Sequence, residues 1–159
     1  MQAGLYTTAM GRILCLDIGE KRTGVAVTDE TKTIAQGLRT IEHKGQNQLI
    51  EEIKRLMSEY EPELIVIGRP LSLSGKPSTR SEMVRRFSTK LGKLLKLPIE
   101  LFDERYSTTR ANRVLEQAYG GPRRRQMPPA TGRTRSHKMA VDRIAATIIL
   151  EDYLAARKT

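Results

Sequence analysis

Tryptophan is absent from this chain, and phenylalanine occurs only twice in 159 residues. Stacking bases on aromatic rings is therefore not an obvious way for it to bind a nucleic acid. Cysteine occurs once, at Cys15, which excludes an intrachain disulfide and a cysteine-rich zinc site. Cys15 lies in an apolar run, where a small buried hydrophobe is the simpler reading. No stretch approaches the length of a membrane span. Residues 1–11 form a mildly apolar leader without the basic start and long apolar segment of a signal peptide. These absences point to a cytoplasmic protein with no membrane partner.

Acid is also scarce relative to base. There are 28 Lys and Arg against 18 Asp and Glu, a formal charge of +10. That excess favours a polyanionic partner, nucleic acid first and the ribosome next. Backbone phosphate contact is the expected mode. The length suits one domain with a real core, here placed at residues 12–156.

The chain is organised around residues 12–29. Ile13-Leu-Cys-Leu16 reads as a strand buried on both faces. Asp17 follows where another aliphatic is expected, and a carboxylate at a core edge is costly unless something pairs with it. A turn at Gly19 leads into a second strand over 22–29, and a weaker third runs over 33–41, interrupted by Gly37. Residues 46–59 carry Leu49, Ile50, Ile53, Leu56 and Met57 on one helical face. Leu64–Gly68 is a short buried strand ending in a loop rich in turn residues. Residues 79–96 read as a helix with Met83, Val84, Phe87, Leu91, Leu94 and Leu95 inward and a basic, solvated outer face. Pro98–Phe102 is a fifth strand, and 107–118 a helix opened by Ser107 or Thr108. The last helix, 137–156, is apolar around most of its circumference. A hairpin meander followed by strand–helix alternation implies an α/β fold: a five-stranded mixed sheet with helices on both faces.

Residues 120–137 form a Gly/Pro-rich basic loop holding Arg123, Arg124, Arg125, Arg133 and Arg135. With Arg69 and Lys138 these are the candidate phosphate-binding residues. Lys21 and Arg22 either contact a phosphate as well or simply close the first turn.

Three acids stand in unusual places. Asp17 ends the first strand, Glu104 follows the fifth, and Asp142 lies in the apolar last helix. Parallel strands ending side by side would bring Asp17 and Glu104 together, and a helix packed across that edge would add Asp142. Clustered carboxylates repel in low dielectric and persist when a divalent cation neutralises them. Oxygen ligands with few histidines suggest Mg²⁺ or Mn²⁺ rather than zinc. Each acid also has a plainer role open to it. Asp17 can serve the turn, Glu104 can pair with Arg105 or Arg110, and Asp142 can complement a helix N-terminus.

Leu16-Asp-Ile-Gly-Glu-Lys-Arg-Thr-Gly-Val-Ala-Val27 resembles the opening motif of the YqgF/RuvX family, described both as Holliday-junction resolvases and as pre-16S ribosomal RNA nucleases. Ile67-Gly-Arg-Pro-Leu71, Asp103-Glu-Arg-Tyr-Ser-Thr108 and Asp142-Arg-Ile-Ala-Ala146 resemble its later motifs, in the same order. Ser72-Leu-Ser74 departs from the family's more usual Asn-Met-Asp, and Glu20 from a small residue or Thr. The resemblance implies an RNase H-like fold, with Asp17, Glu104 and Asp142 as a metal-binding catalytic triad.

The resulting expectation is a metal-dependent endonuclease acting on an rRNA precursor or on branched DNA. Cutting a symmetric junction would require paired active sites, hence a homodimer. Two rivals stay open: a non-catalytic nucleic-acid-binding or ribosome-associated module, and a sugar-kinase-like ATPase, for which this chain lacks the second lobe.

Overall fold

The computed structural model describes residues 11–70, 74, 76–103 and 135–158. The expected leader, the helix 107–118, Glu104 and the arginines Arg123, Arg124, Arg125 and Arg133 lie outside the described residues, as does most of the loop 120–137.

The elements run β1 (Arg12–Ile18), β2 (Arg22–Thr28), β3 (Ala35–Glu42), α1 (Gln46–Tyr60), β4 (Pro62–Arg69), α2 (Thr79–Leu95), β5 (Ile99–Asp103) and α3 (Arg135–Arg157). They build a five-stranded sheet in the order β3-β2-β1-β4-β5. β1 pairs antiparallel with β2 and parallel with β4, and β4 pairs parallel with β5. The mixed sheet is the one the element order implies. Asp17 and the end of β5 do share one edge, but β4 lies between β1 and β5.

Strand alternation divides the core between two faces. Leu14, Leu16, Ile18, Val25 and Val27 point to one side and pack with Leu49, Ile53 and Leu56 of α1 and Val84, Phe87 and Leu91 of α2. Ile13, Cys15, Ala26 and Val66 point to the other and pack with Ala146, Ile149, Leu150 and Tyr153 of α3. β1 is therefore apolar at every position from Ile13 to Leu16, as its sequence requires of a strand covered on both faces. Cys15 is fully buried in this second layer.

Both helices under the first face have defined ends. α1 stops at Glu61, whose left-handed backbone sends its N–H to the Met57 carbonyl, and Pro62 cannot continue the helix. α2 starts at Ser78, whose hydroxyl accepts from the Ser81 N–H at 3.1 Å. Leu94, expected inward on α2, is 52% exposed, and its neighbour Leu95 packs against the core instead.

β3 contains the fold's principal irregularity. Val25 pairs with Arg39 but Ala26 pairs with Gly37, so Leu38 is an extra residue and a bulge. The extra residue resets the alternation. Arg39 faces α1, where it meets Glu52, whereas both Thr40 and Gly37 face α3. Gly37 thus marks a bulge in a strand rather than a break in it.

The last helix begins at Arg135, two residues earlier than its apolar pattern suggests. Its buried residues, Ala146, Ile148, Ile149, Leu150, Tyr153 and Leu154, all lie in its second half. Met139, Val141, Ile144 and Ala145, nearer its start, are half-buried. That first half lies over Gly24 of β2 and Thr40 of β3. Among the described residues no helix is long and apolar enough to cross a membrane.

Candidate active site

Asp17 and the Asp142 backbone both lie against Gly24, at the end of β1 where α3 crosses β2, and the two carboxylates are close enough for their charges to interact. Asp17 is the last residue of β1 to point at α3, and its backbone partner on β2 is Gly24. A Cβ built on Gly24 would stand 2.6 Å from the carbonyl carbon of Asp142. Only a residue without a side chain lets the helix backbone lie this close. Gly37 on β3 makes room instead for helix side chains, since a Cβ there would meet Thr147 Oγ1 at 2.7 Å and Arg143 Cγ at 2.9 Å. The two glycines make a trough for α3, and the Thr40 hydroxyl fixes its start by donating to the Met139 carbonyl at 2.6 Å.

The two carboxylates sit in different electrostatic settings. Asp17 has a side chain only 17% exposed, and its nearest cation is Arg80 Nη2 at 3.8 Å from Oδ1. Burial raises its pKa above the ordinary value, Arg80 opposes that, and the charge of Asp142 adds to it. Asp142 instead accepts a hydrogen bond from Arg22 Nε at 2.7 Å. Its position well beyond the first turn of α3 removes the helix-dipole role open to it from sequence.

Arg22 does not close the turn through its side chain. The turn is held by its backbone: the Gly19 N–H donates to the Arg22 carbonyl at 2.9 Å, and a Cβ on Gly19 would approach that oxygen at 2.6 Å. Lys21 is exposed on the same turn, and its carbonyl accepts from the His43 N–H.

Other candidate phosphate ligands are differently employed. Arg69 donates from Nε to the buried Ser81 hydroxyl at 3.2 Å, tying the end of β4 to the start of α2. Arg135 is in α3 rather than in a loop, and its guanidinium forks onto Glu42. Lys138 is exposed on α3. Arg80 was not among the residues the sequence singled out. It reaches round the sheet edge from α2 and donates to the Ile18 carbonyl at 3.1 Å. No sequence signal distinguishes it from the other cations of α2. Gly24 did leave one, since a glycine inside a Val-rich strand marks close backbone approach.

Two neighbouring carboxylates, of which Asp17 is so closed off that burial resists its charge, are a setting that suits a hard divalent cation. Among the described residues no third Asp, Glu, His or Cys joins the pair. A cavity of about 490 Å³ between the starts of α1 and α2 is lined by Gln46, Thr79, Glu82, Met83 and Arg86, and by neither acid.

The fold is shared with two resolvases of known structure. RuvC of Thermus thermophilus, solved in complex with Holliday junction substrate, superposes with a TM-score of 0.53, covering 93% of this chain and 96% of that one at 10% identity. The fowlpox virus resolvase, solved with Holliday junction DNA, gives 0.55, covering 93% and 99% at 10% identity. A relative from Caldanaerobacter subterraneus subsp. tengcongensis, named "Putative pre-16S rRNA nuclease", is 35% identical over 147 residues, which is 92% of this chain and 98% of the relative. The sequence profile of the RuvX family, described as Holliday junction resolvase, matches residues 11–156. By that match over nearly its whole length, and by this level of identity, the chain belongs to the RuvX family of nucleases.

Proposed function

We propose that the chain is a divalent-metal-dependent endonuclease that hydrolyses phosphodiester bonds in structured nucleic acid, with a 16S rRNA precursor as substrate. The observation that carries this reading is the meeting of Asp17 and Asp142 across Gly24, two acids 125 positions apart brought to the end of one strand. Family membership supports the reaction class, and the name of the Caldanaerobacter relative supports the rRNA substrate. A second reading, a Holliday junction in place of rRNA, is favoured by the family's description and by the substrates of its two fold neighbours. A cytoplasmic setting follows from either substrate. Resolution of a junction would add a homodimer.

Asp17 and Asp142 would hold Mg²⁺ or Mn²⁺ through carboxylate oxygens, with Glu104 as the third ligand. Such cations, when bound, would supply a water of lowered pKa and charge stabilisation for the leaving oxygen. The protein's own contribution is placement. β1 fixes Asp17 at a rigid, doubly covered edge, and the Gly24 contact fixes Asp142 against it. Arg22 holds the Asp142 carboxylate in one orientation. Exposed Lys21 and Lys138, with Arg123, Arg124, Arg125 and Arg133, supply phosphate contacts to the flanking strand.

The test is cleavage of a precursor 16S rRNA fragment and a four-way DNA junction in Mg²⁺ or Mn²⁺. Wild type should cut one of them, and Asp17→Asn and Asp142→Asn should not. Cleavage that survives both substitutions would refute the site. Binding of either substrate without cleavage by wild type would favour the non-catalytic module.

A further inference from the structure

The two arginines beside the acid pair are not equivalent. Arg22 is committed, with Nε on Asp142 at 2.7 Å and the charge of Glu42 close by. Arg80 is anchored but largely unspent. Its Nη2 donates to the Ile18 carbonyl at 3.1 Å and stands 3.8 Å from Asp17 Oδ1, beyond hydrogen-bond reach. A guanidinium carries five N–H donors, and among the described residues Arg80 makes no other bond. Its side chain is 53% exposed, so the remaining donors open to solvent directly beside a carboxylate that is nearly closed off.

The anchor is also independent of Asp17. The first turn of α2 is fixed by Ser78, whose hydroxyl accepts from the Ser81 N–H, and by Arg69, which donates to the Ser81 hydroxyl. Ser81 is fully buried, so this start of α2 is pinned to the end of β4. The backbone carbonyl of Ile18 then fixes the guanidinium itself. An arginine held in place before its ligand arrives loses little side-chain entropy on binding. The planar fork matters here. One edge can rest on a carbonyl while the other meets a phosphate, which the point charge of a lysine cannot do.

We propose that Arg80 is the phosphate clamp of this site, donating its free guanidinium edge to a non-bridging oxygen of the scissile phosphodiester. The proposal rests on the nuclease reading above for the word scissile, and on geometry for the phosphate contact. An anion brought up to Asp17 and Asp142 meets two negative charges. Among the described residues Arg80 is the cation placed to offset them: its ion pair with Asp17 is long, at 3.8 Å, and its side chain stays 53% exposed.

Binding in EDTA separates this proposal from the reading it rests on. A precursor rRNA stem and a four-way DNA junction would each be made as a series, with one neutral methylphosphonate linkage moved along the strand. In wild type, one position should weaken binding about tenfold, the size of one charge-assisted hydrogen bond. Arg80→Ala should bind the unmodified strand about tenfold more weakly and be indifferent to the linkage at that position. Arg80→Lys keeps a charged donor of nearly the same reach toward the Ile18 carbonyl but has no second planar edge, and should likewise be indifferent to the linkage at that position; an unchanged Tm in both variants shows that loss of the fold does not explain the result. Lys90→Ala, an exposed lysine further along α2, should lower affinity without erasing any single position. Where wild type cleaves in Mn²⁺, the cut should map to the position that Arg80 reads. If the arginine variants keep the full wild-type pattern of sensitivity, the clamp is wrong. An Arg80-dependent position in a protein that never cleaves would uphold the contact and overturn the nuclease reading.

Discussion

Gly24 and Asp142 touch through their backbones: a side chain of even one carbon on Gly24 would stand 2.6 Å from the Asp142 carbonyl carbon. Gly24 is also the strand partner of Asp17. One glycine therefore sets the separation of the two acids, although it contributes no functional group.

Gly24→Ala should consequently act on both stability and the site. Overpacking costs about 1–3 kcal/mol, and each kcal/mol lowers Tm by roughly 2–4 °C in a chain of this size. Mn²⁺ binding measured by calorimetry should weaken as α3 is pushed away from β2. Gly45→Ala is the control, since a Cβ there meets nothing within 4 Å, and both readings should stay at wild type.

Asp17→Asn should make the metal-free protein more stable at neutral pH. Burial holds the folded-state pKa of Asp17 above the ordinary 3.8, so its charged form opposes folding. Removing that charge should add about 1 kcal/mol, roughly 2–4 °C in Tm. The sign fixes the pH window. The gain is full above the raised pKa and vanishes below about pH 3.8, where Asp17 is protonated in both states. Thermal melts in EDTA from pH 7 to 3.5 check this, and an Asn variant less stable at pH 7 would contradict it.

Arg22→Gln should separate two properties that normally move together. Loss of the 2.7 Å bond to Asp142 should lower stability by about 1 kcal/mol. Divalent affinity should rise on the order of tenfold, because a neighbouring positive charge has been removed and Asp142 released. Calorimetry with Mn²⁺ in the absence of substrate reads this directly. Weaker binding would instead mean that Arg22 is needed to aim Asp142 at the cation.

His43 should give the protein an acid-sensitive stability between pH 7 and 5. It is 8% exposed, its ring nitrogen Nε2 lies 3.1 Å from the Thr23 hydroxyl, and among the described residues Nδ1 has no hydrogen-bond partner. Burial lowers its pKa below the ordinary 6.5. The unfolded chain then takes up the proton first, so stability is present above pH 6.5 and lost below it. The slope for one proton is at most about 1.4 kcal/mol per pH unit. Urea midpoints across that range should fall for wild type and stay flatter for His43→Gln.

Much of this was legible in the residues. The apolar run Ile13–Leu16 followed by Asp17 marks a doubly covered strand with a misplaced acid, because alternation and burial are local patterns. The order of strands and helices likewise limits the sheet to a mixed one. The side-chain partners of the cations were not legible. Arg69, Arg135 and Arg22 look alike in sequence, yet the first ties β4 to α2 through Ser81, the second holds Glu42 and the third holds Asp142. Arg80 looks like any other cation of α2, yet it turns back to β1.

By itself, the sequence determined which segments are strands and helices, which faces are apolar, and that Asp17 and Asp142 are acids set within apolar runs. Those properties depend on neighbours a few residues away. Only the tertiary structure decided that these two acids meet, that Gly24 is the point of closest approach, and that Arg22 and Arg80 divide the work beside them. Contacts between residues such as Arg22 and Asp142 depend on how α3 lies across the sheet, and that follows from the bulge in β3 and two glycines rather than from any local period.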